Sequence, residues 1–514
     1  ALTHAMKYQK KRIFYIAPLI SILDQNVRVI REAVGDPDLV LEHHSNIIMD
    51  EESPEKVSRY QLLTETWDSP IIVSTLVQFL NSLFSGKTSC IRRMQALCNS
   101  VIIIDEVQTV PTKMLTLFNL ALNFLSVVCK ADILLCSATQ PCLEQAAHPM
   151  IVSKEEAVPV EKWKDYQKIF KRTELIKSGR MELENEIVPF IEKLTEKYQS
   201  ILAVCNLKSE AANLYKDLRS QINIPVFHLS SGMCMAHRRA VLSEIQENLQ
   251  QGNPLVCVST QVIEAGVDIS FSAGIRLTAG LDNVMQTAGR VNRNGENNAD
   301  APVYLIGCIG EKLSNLPEIS EAKDALEILL ADYENHPQLF DHDLSSGKAS
   351  DYYYKTLYRL MKTGQQDYSI PGKQSLYELL SDNPVSLQFA DKKEQKRYFL
   401  SQAFAAAGKE FSVMDQNTYT LLVPYKNEGL RLIADLESND SKFDFGYRKQ
   451  LLNKAKEYSV NVYSYQIKKL EETGAIRKIC DDSVLVLCNE VFYDNKALGL
   501  DLEGGSGEWS TLIL

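Results

Sequence analysis

The eleven cysteines of this 514-residue chain include no Cys-x-x-Cys pair, at positions 90, 98, 129, 136, 142, 205, 234, 257, 308, 480 and 488. The commonest spacing of zinc sites and redox dithiols is therefore missing. Most of the cysteines lie in apolar runs such as "ILLC" and "LVCVS", so buried free thiols in a reducing cytoplasm are expected rather than disulfides or zinc. Long hydrophobic runs are also missing. "KYQKKR" followed by "IFYIAPLISIL" imitates a signal peptide, but no small-residue cleavage site follows, and the run contains Pro18 and stops at Asp24, Gln25 and Asn26. It reads as a buried strand and the start of a helix. The stretch 114–129 is broken by Asn119 and Asn123, so no membrane segment is expected. A complete phosphate loop is absent as well. "FSGKTS" at 84–89 ends like G-x-x-x-x-G-K-[ST], yet Asn81 stands where the first glycine belongs. Apolar residues at 76, 77, 79, 80, 83 and 84 predict a helix ahead of it, where the loop requires a strand. Lys87 is expected in an exposed turn.

What is present is a long, mixed, acidic chain. At 45% hydrophobic and 24% charged residues it is globular in composition, with length for about three domains. The net charge of -11 argues against a surface that binds nucleic acid everywhere, while leaving room for a local basic groove. Short apolar runs alternate with helical patterns through the first 310 residues: "RIFYIAP", "IIVST", "SVIIIDE", "DILLCSAT", then "SILAVCN", "PVFHLS", "PLVCVST" and "APVYLIG". Such alternation predicts an α/β fold of parallel sheets flanked by helices. The expected organisation is an α/β domain at 1–155, a connector at 156–196, a second α/β domain at 197–310, a helical region at 311–395 and an α+β accessory domain at 396–514.

The strongest local signal is "SVIIIDEVQ", a buried strand ending in Asp105 and Glu106. Ligands of open parallel sheets bind beyond the carboxyl ends of strands, where both carboxylates then stand. An acid there can hold Mg²⁺ through water, and its neighbour can orient or deprotonate a water that attacks a phosphate. A helix N-cap with an acidic first turn uses the same residue types, and the stretch alone does not decide between them. Other strand ends add polar clusters. "LLCSAT" carries Ser137 and Thr139; "VCVSTQVIEAGVDIS" carries Ser259, Thr260, Gln261, Glu264, Gly266 and Asp268; "NVMQTAGRVNRNG" carries Gln286, Gly289, Arg290 and Arg293. On a helix, Gln286, Arg290 and Arg293 share one face. Paired guanidinium forks suit the charge on a transferring phosphoryl group, although in an isolated helix surface ion pairing is the commoner use.

This ordered set resembles the superfamily 2 DExD/H-box helicases: "YIAPLISILDQN" is similar to motif Ia, "IIVSTLVQFLNSLF" to Ib, "IIIDEVQ" to II, "CSAT" to III, "ILAVCNLKSEA" to IV, "VSTQVIEAGVDIS" to V and "QTAGRVNRNG" to VI. With "HLSSGMCMAHRRAVLSEI" at 228–245, the wording resembles the CRISPR-associated helicase-nuclease of type I systems over residues 1 to 310, and more loosely over the tail "KEYSVNVYSYQIKKLEETGAI". The resemblance implies two RecA-like domains in tandem and ATP with Mg²⁺ as cofactors. It implies that Asp105 holds the metal, Glu106 activates water, Gln108 couples the site to the strand-binding face, and Ser137 and Thr139 link hydrolysis to domain movement. Gly266, Asp268 and Gln286 would serve the nucleotide, with Arg290 and Arg293 as arginine fingers. Thr75, Gln78, Thr260 and Gln261 would lie near the backbone of single-stranded DNA, and the partner would be an RNA-guided CRISPR surveillance complex.

Two departures from the family pattern matter. Motif Ia begins at residue 15 with nothing glycine-rich ahead of it, so the phosphate loop, like the natural beginning of the chain, is expected upstream of Ala1. The family's nuclease marker, a His-Asp pair with further ligands, has no counterpart; His342-Asp343 in "LFDHDLSSGK" lacks companion histidines and reads as a loop. The expected activity is an ATP-dependent single-stranded DNA translocase or helicase in antiviral defence, with this chain alone inactive. The competing possibilities are a RecA-like protein that binds nucleic acid or a partner without turnover, and a general superfamily 2 RNA helicase.

Overall fold

The computed structural model describes the chain except residues 19, 45–53, 152–165, 167–168, 265–266, 297–299, 315, 362–363, 373, 385–401, 414–417, 439, 441–443, 481 and 503–514. The chain divides into two compact units. One comprises 1–169, 280–285 and 313–414; the other comprises 170–279, 286–312 and 415–514.

The first unit is built on a five-stranded sheet of β1 (Arg12–Ala17), β2 (Val40–His43), β3 (Ile71–Thr75), β4 (Ser100–Ile104) and β5 (Asp132–Leu135), in the order β2-β3-β1-β4-β5. Every pairing is parallel. Parallel strands are covered on both faces, which is why "IIVST" and "SVIII" are apolar throughout rather than alternating. Side chains of successive residues go to opposite faces. Thus Phe14, Ile16, Ile72, Ile102 and Ile104 join one core, while Ile13, Ala17, Ile71, Val73 and Val101 join another. The helix Leu76–Phe84 follows β3 directly, as its apolar rhythm predicts. Lys87 is exposed and stands just ahead of the short helix Thr88–Arg93. The helices Pro317–Asn335 and Gly347–Leu360 also belong to this unit.

The second unit holds a six-stranded sheet in the order β6-β11-β10-β7-β9-β8. Its strands are β6 (Thr173–Met181), β7 (Ser200–Val204), β8 (Val226–Leu229), β9 (Leu255–Ser259), β10 (Ala273–Leu277) and β11 (Ala301–Cys308), again all parallel. Part of the segment expected as a connector, 156–196, is a strand of this sheet: β6 pairs with β11 through Thr173↔Ala301 to Met181↔Cys308. A mixed four-stranded sheet follows in the same unit, from β12 (Thr418–Leu422), β13 (Ser459–Tyr463), β14 (Ile476–Ile479) and β15 (Val484–Leu487), ordered β13-β12-β15-β14. The tail returns to the part of the unit built on the six-stranded sheet: Leu500 N–H donates to the Gly232 carbonyl at 2.8 Å. Gly499 is required there, with φ +74° and space so tight that a Cβ would lie 2.5 Å from that carbonyl oxygen.

Candidate functional site

Asp105 and Glu106 leave the carboxyl end of β4 in the first unit. The Asp105 N–H continues the ladder by donating to the Ile16 carbonyl at 2.8 Å, while Glu106 turns away with φ +51° and ψ +47°, the left-handed region that few non-glycine residues enter. That turn breaks the strand and lets two adjacent carboxylates occupy one strand end. The Asp105 carboxylate accepts from the Tyr15 hydroxyl at 2.5 Å on Oδ2 and from the Glu106 N–H at 3.0 Å on Oδ1. Tyr15 in turn accepts from Asn26 Nδ2 at 2.6 Å. Burial, and then the bond to Asp105, push the Tyr15 hydroxyl well above its usual range, so it remains a donor.

The network continues into the segment after β5. Gln108 Nε2 donates to Glu106 Oε2 at 2.5 Å. Ser137 Oγ lies 2.5 Å from Gln108 Oε1 and 2.6 Å from the Thr139 carbonyl oxygen, so its one proton serves one acceptor at a time. The Thr139 N–H donates back to Ser137 Oγ at 3.0 Å. Beneath them the Cys136 thiol is raised by burial and then by the charges of Asp105 and Glu106. The sequence-predicted residues Asp105, Glu106, Gln108, Ser137 and Thr139 are therefore one hydrogen-bonded chain. Tyr15 and Asn26 were missed, although a tyrosine on the strand beside β4 was a usable signal.

In the second unit Arg276, near the carboxyl end of β10, is fully buried and its Nε lies 2.9 Å from Glu264 Oε1, with side-chain exposures of 0% and 2%. Its Nη1 donates to Asn206 Oδ1 at 2.7 Å and to the Leu277 carbonyl at 2.8 Å. Thr287 Oγ1 donates to the same Glu264 Oε1 at 3.3 Å. Arg290 is also buried, and its fork donates to the carbonyls of Ile263 at 3.1 Å and Glu264 at 2.7 Å. Arg293 is exposed; its Nε pairs with Asp268 at 2.9 Å and its Nη1 reaches the Gly289 carbonyl at 3.3 Å. The expected shared helical face of Gln286, Arg290 and Arg293 does not form. The helix Leu281–Ala288 ends before Arg290, because Val291 bridges to Phe271 and Asn292 takes φ +48°. Gln286 is half-buried in that helix, and Gly266 lies outside the described residues.

The residues expected near nucleic acid have local duties. Thr75 caps the helix Leu76–Phe84 by accepting from the Gln78 N–H at 3.2 Å, and Gln78 Oε1 accepts from Arg93 Nη1 at 3.2 Å. Thr260 is buried, with its carbonyl accepting from Ser259 Oγ at 2.8 Å, and Gln261 opens the short helix Gln261–Ile263. His342 and Asp343 form a turn in which Asp343 accepts from Ser345.

The two parallel-sheet units have the tandem α/β architecture expected from the sequence. Residues 197–296 match the family described as CRISPR-associated nuclease/helicase Cas3, C-terminal. Over this segment the chain is similar to the CRISPR-associated helicase-nucleases. It is 25% identical over 169 residues to the CRISPR-associated nuclease/helicase Cas3 of Methanothermobacter thermautotrophicus, covering 32% of this chain and 20% of that protein. A second stretch of 72 residues is 42% identical to the Haloferax volcanii Cas3, covering 13% of this chain and 8% of that one. The fold matches the crystal structure of T. fusca Cas3 with AMPPNP at TM-score 0.64 and 14% identity, over 94% of this chain and 62% of that chain. A chain in a CRISPR RNA-guided surveillance complex, pre-nicking, matches at TM-score 0.50 and 14% identity, over 89% of this chain and 62% of its own length. The chain thus spans less than two thirds of the relatives it resembles. Among the described residues no helix is long and apolar enough to cross a membrane.

Proposed function

We propose that the chain is the motor portion of an ATP-dependent translocase that moves along single-stranded DNA supplied by an RNA-guided CRISPR surveillance complex. The observation that carries this is the hydrogen-bonded run from Tyr15 through Asp105, Glu106 and Gln108 to Ser137 and Thr139. A carboxylate oxygen accepts in more than one direction, so each Asp105 oxygen keeps room beyond its present donor. Hard oxygen donors at a strand end fit Mg²⁺, and Asp105 is the residue to hold it; bound there, the ion would offset phosphate charge. Glu106, fixed by Gln108, takes a proton from the attacking water. In the second unit Arg293 supplies positive charge to the transferring phosphoryl group, while Arg290 keeps the Ile263–Glu264 backbone in place for Gly266, Asp268 and Gln286 to serve the nucleotide. Thr75, Gln78, Thr260 and Gln261 contact the DNA backbone rather than its bases. The two RecA-like domains of the proposal are built on the five-stranded and the six-stranded sheets; the second therefore begins before residue 197, since β6 belongs to its sheet.

The test is DNA-stimulated ATP hydrolysis by this chain and by a longer chain that supplies a phosphate loop upstream. The expected result is turnover in the longer chain, dependent on single-stranded DNA, and none in this one. A longer chain that stays inactive overturns the motor assignment. Equal stimulation by RNA transfers it to a general RNA helicase.

A further inference from the structure

The helix Gly347–Leu360 follows the second sheet in sequence but belongs to the first unit, and one of its faces grips the segment after β5. Asp351, Tyr354 and Tyr358 are three and four residues apart, which places them on one side of the helix. Asp351 Oδ1 accepts from the Cys142 thiol at 3.3 Å, Tyr354 Oη lies 3.2 Å from Thr139 Oγ1, and the Tyr358 hydroxyl donates to the Pro141 carbonyl. Tyr354 is 5% exposed and Thr139 1%, so water does not replace this bond when it is lost. The helix is anchored at its start by Ser346, which accepts from the Ala349 N–H at 3.2 Å. No sequence motif marks these residues, and nothing in the proposed chemistry uses them directly.

We propose that Tyr354 is a positioning residue for nucleotide hydrolysis: its hydroxyl holds Thr139, and through Ser137 and Gln108 it fixes the carboxylate of Glu106. Each link is a hydrogen bond already described, so the chain of contact runs from a helix beyond the second sheet to the acid of the first. This rests on the assignment of Glu106 as the base. Burial keeps the Tyr354 phenol far above its usual titration range, so the link persists at any working pH. A bond of this kind matters because a base that is free to swing spends less time aligned with its water.

The experiment uses Tyr354→Phe, which keeps the ring and deletes the hydroxyl, and Thr139→Val, which deletes the other end. In the longer, hydrolysing chain each should lower kcat about three- to tenfold, the usual worth of one neutral hydrogen bond, with KM for ATP unchanged within about twofold. The double variant should be no worse than Tyr354→Phe alone, since that change already removes both the contact to Thr139 Oγ1 and the longer one, 3.5 Å, to the Thr139 carbonyl. Hydrogen exchange in the 514-residue chain provides a readout that does not need turnover. Tyr354→Phe should speed exchange in 136–142 and also in 104–110. Unchanged kcat in Tyr354→Phe, beside a lowered kcat in Ser137→Ala, overturns the proposal and leaves the motor assignment standing. Faster exchange confined to 136–142 overturns it too, because the effect then stops short of Glu106. If the unmodified longer chain does not hydrolyse ATP, the motor assignment fails and Tyr354 positions nothing catalytic.

Discussion

The two units carry polar clusters of opposite design. In the first, half-buried groups at the ends of β4 and β5 bond to one another through neutral donors, and the carboxylate oxygens keep unused acceptor directions. In the second, Arg276 and Glu264 are sealed at 0% and 2% exposure, and Arg290 spends its fork on two backbone carbonyls. A charge removed from water must be repaid by close partners, and once so repaid it is not available to a ligand. The difference teaches that residue type alone does not separate a receiving site from a holding one. Both clusters hold acids and hydroxyls, and what sorts them is burial together with the arginines, which only the second contains.

The largest expected effect breaks the receiving side. Glu106→Gln in a hydrolysing chain should cost about 10²- to 10⁴-fold in turnover, the range of a general base, while a fluorescent nucleotide still binds. Normal turnover would remove Glu106 from the chemistry and leave the comparison without its first half. The next effect breaks the holding side. Arg276→Met leaves the buried Glu264 carboxylate without its guanidinium and should destabilise the second unit by about 3–5 kcal/mol, read from urea unfolding. Adding Glu264→Leu should recover much of that loss, because the buried carboxylate is then gone. If the single variant unfolds normally, the pair is not what holds this cluster.

Acid sharpens the same contrast. Burial lowers His228 and His237 in the second unit to about 4 and His43 in the first to about 3. Each is neutral when folded and takes up a proton on unfolding below its ordinary value near 6.5. The unfolded chain then binds more protons, so stability falls as pH drops from about 6.5 towards 4, with a slope of at most about 1.4 kcal/mol per pH unit for each histidine. Both ring nitrogens of His228 lack a partner. His228→Leu should therefore flatten the slope without harming the neutral-pH fold, and an unchanged slope would show that His228 does not contribute to it.

Much of this was legible because buried parallel strands announce themselves as apolar runs. β1, β3, β4, β5, β7, β8, β9 and β11 all fall on runs picked out from the sequence. The three strands missed in the two parallel sheets share a physical cause. β10 contains Arg276 as its fourth residue of five, β2 ends in Glu42 and His43, and β6 is an edge strand with Glu174, Lys177 and Arg180 among its nine residues. Charge within a strand hides it from a pattern that looks for apolar continuity. The same masking affected the site. Asp105 and Glu106 stood out because they end an apolar run, whereas Tyr354 and Arg276 acquire their partners only through the fold. The arginines of 286–293 were placed on a helix because their spacing suits one, but the β-bridge of Val291 to Phe271 competes successfully with the last helical turn.

The smallest effect concerns Thr75, whose sequence context suggests nucleic acid and whose geometry shows a cap. Its Oγ accepts from the Gln78 N–H at 3.2 Å, satisfying one of the orphan donors at the start of the helix Leu76–Phe84. Thr75→Ala should cost about 1 kcal/mol of stability, and Thr75→Ser only a few tenths. Single-stranded DNA affinity then distinguishes the duties. A DNA contact made by the same hydroxyl would be lost in the alanine variant and kept in the serine variant at equal occupancy of the folded state. If both variants bind DNA alike once the folded fraction is matched, Thr75 belongs with Arg276 among the groups that hold, and the receiving surface of the first unit narrows to the end of β4 and its partners after β5.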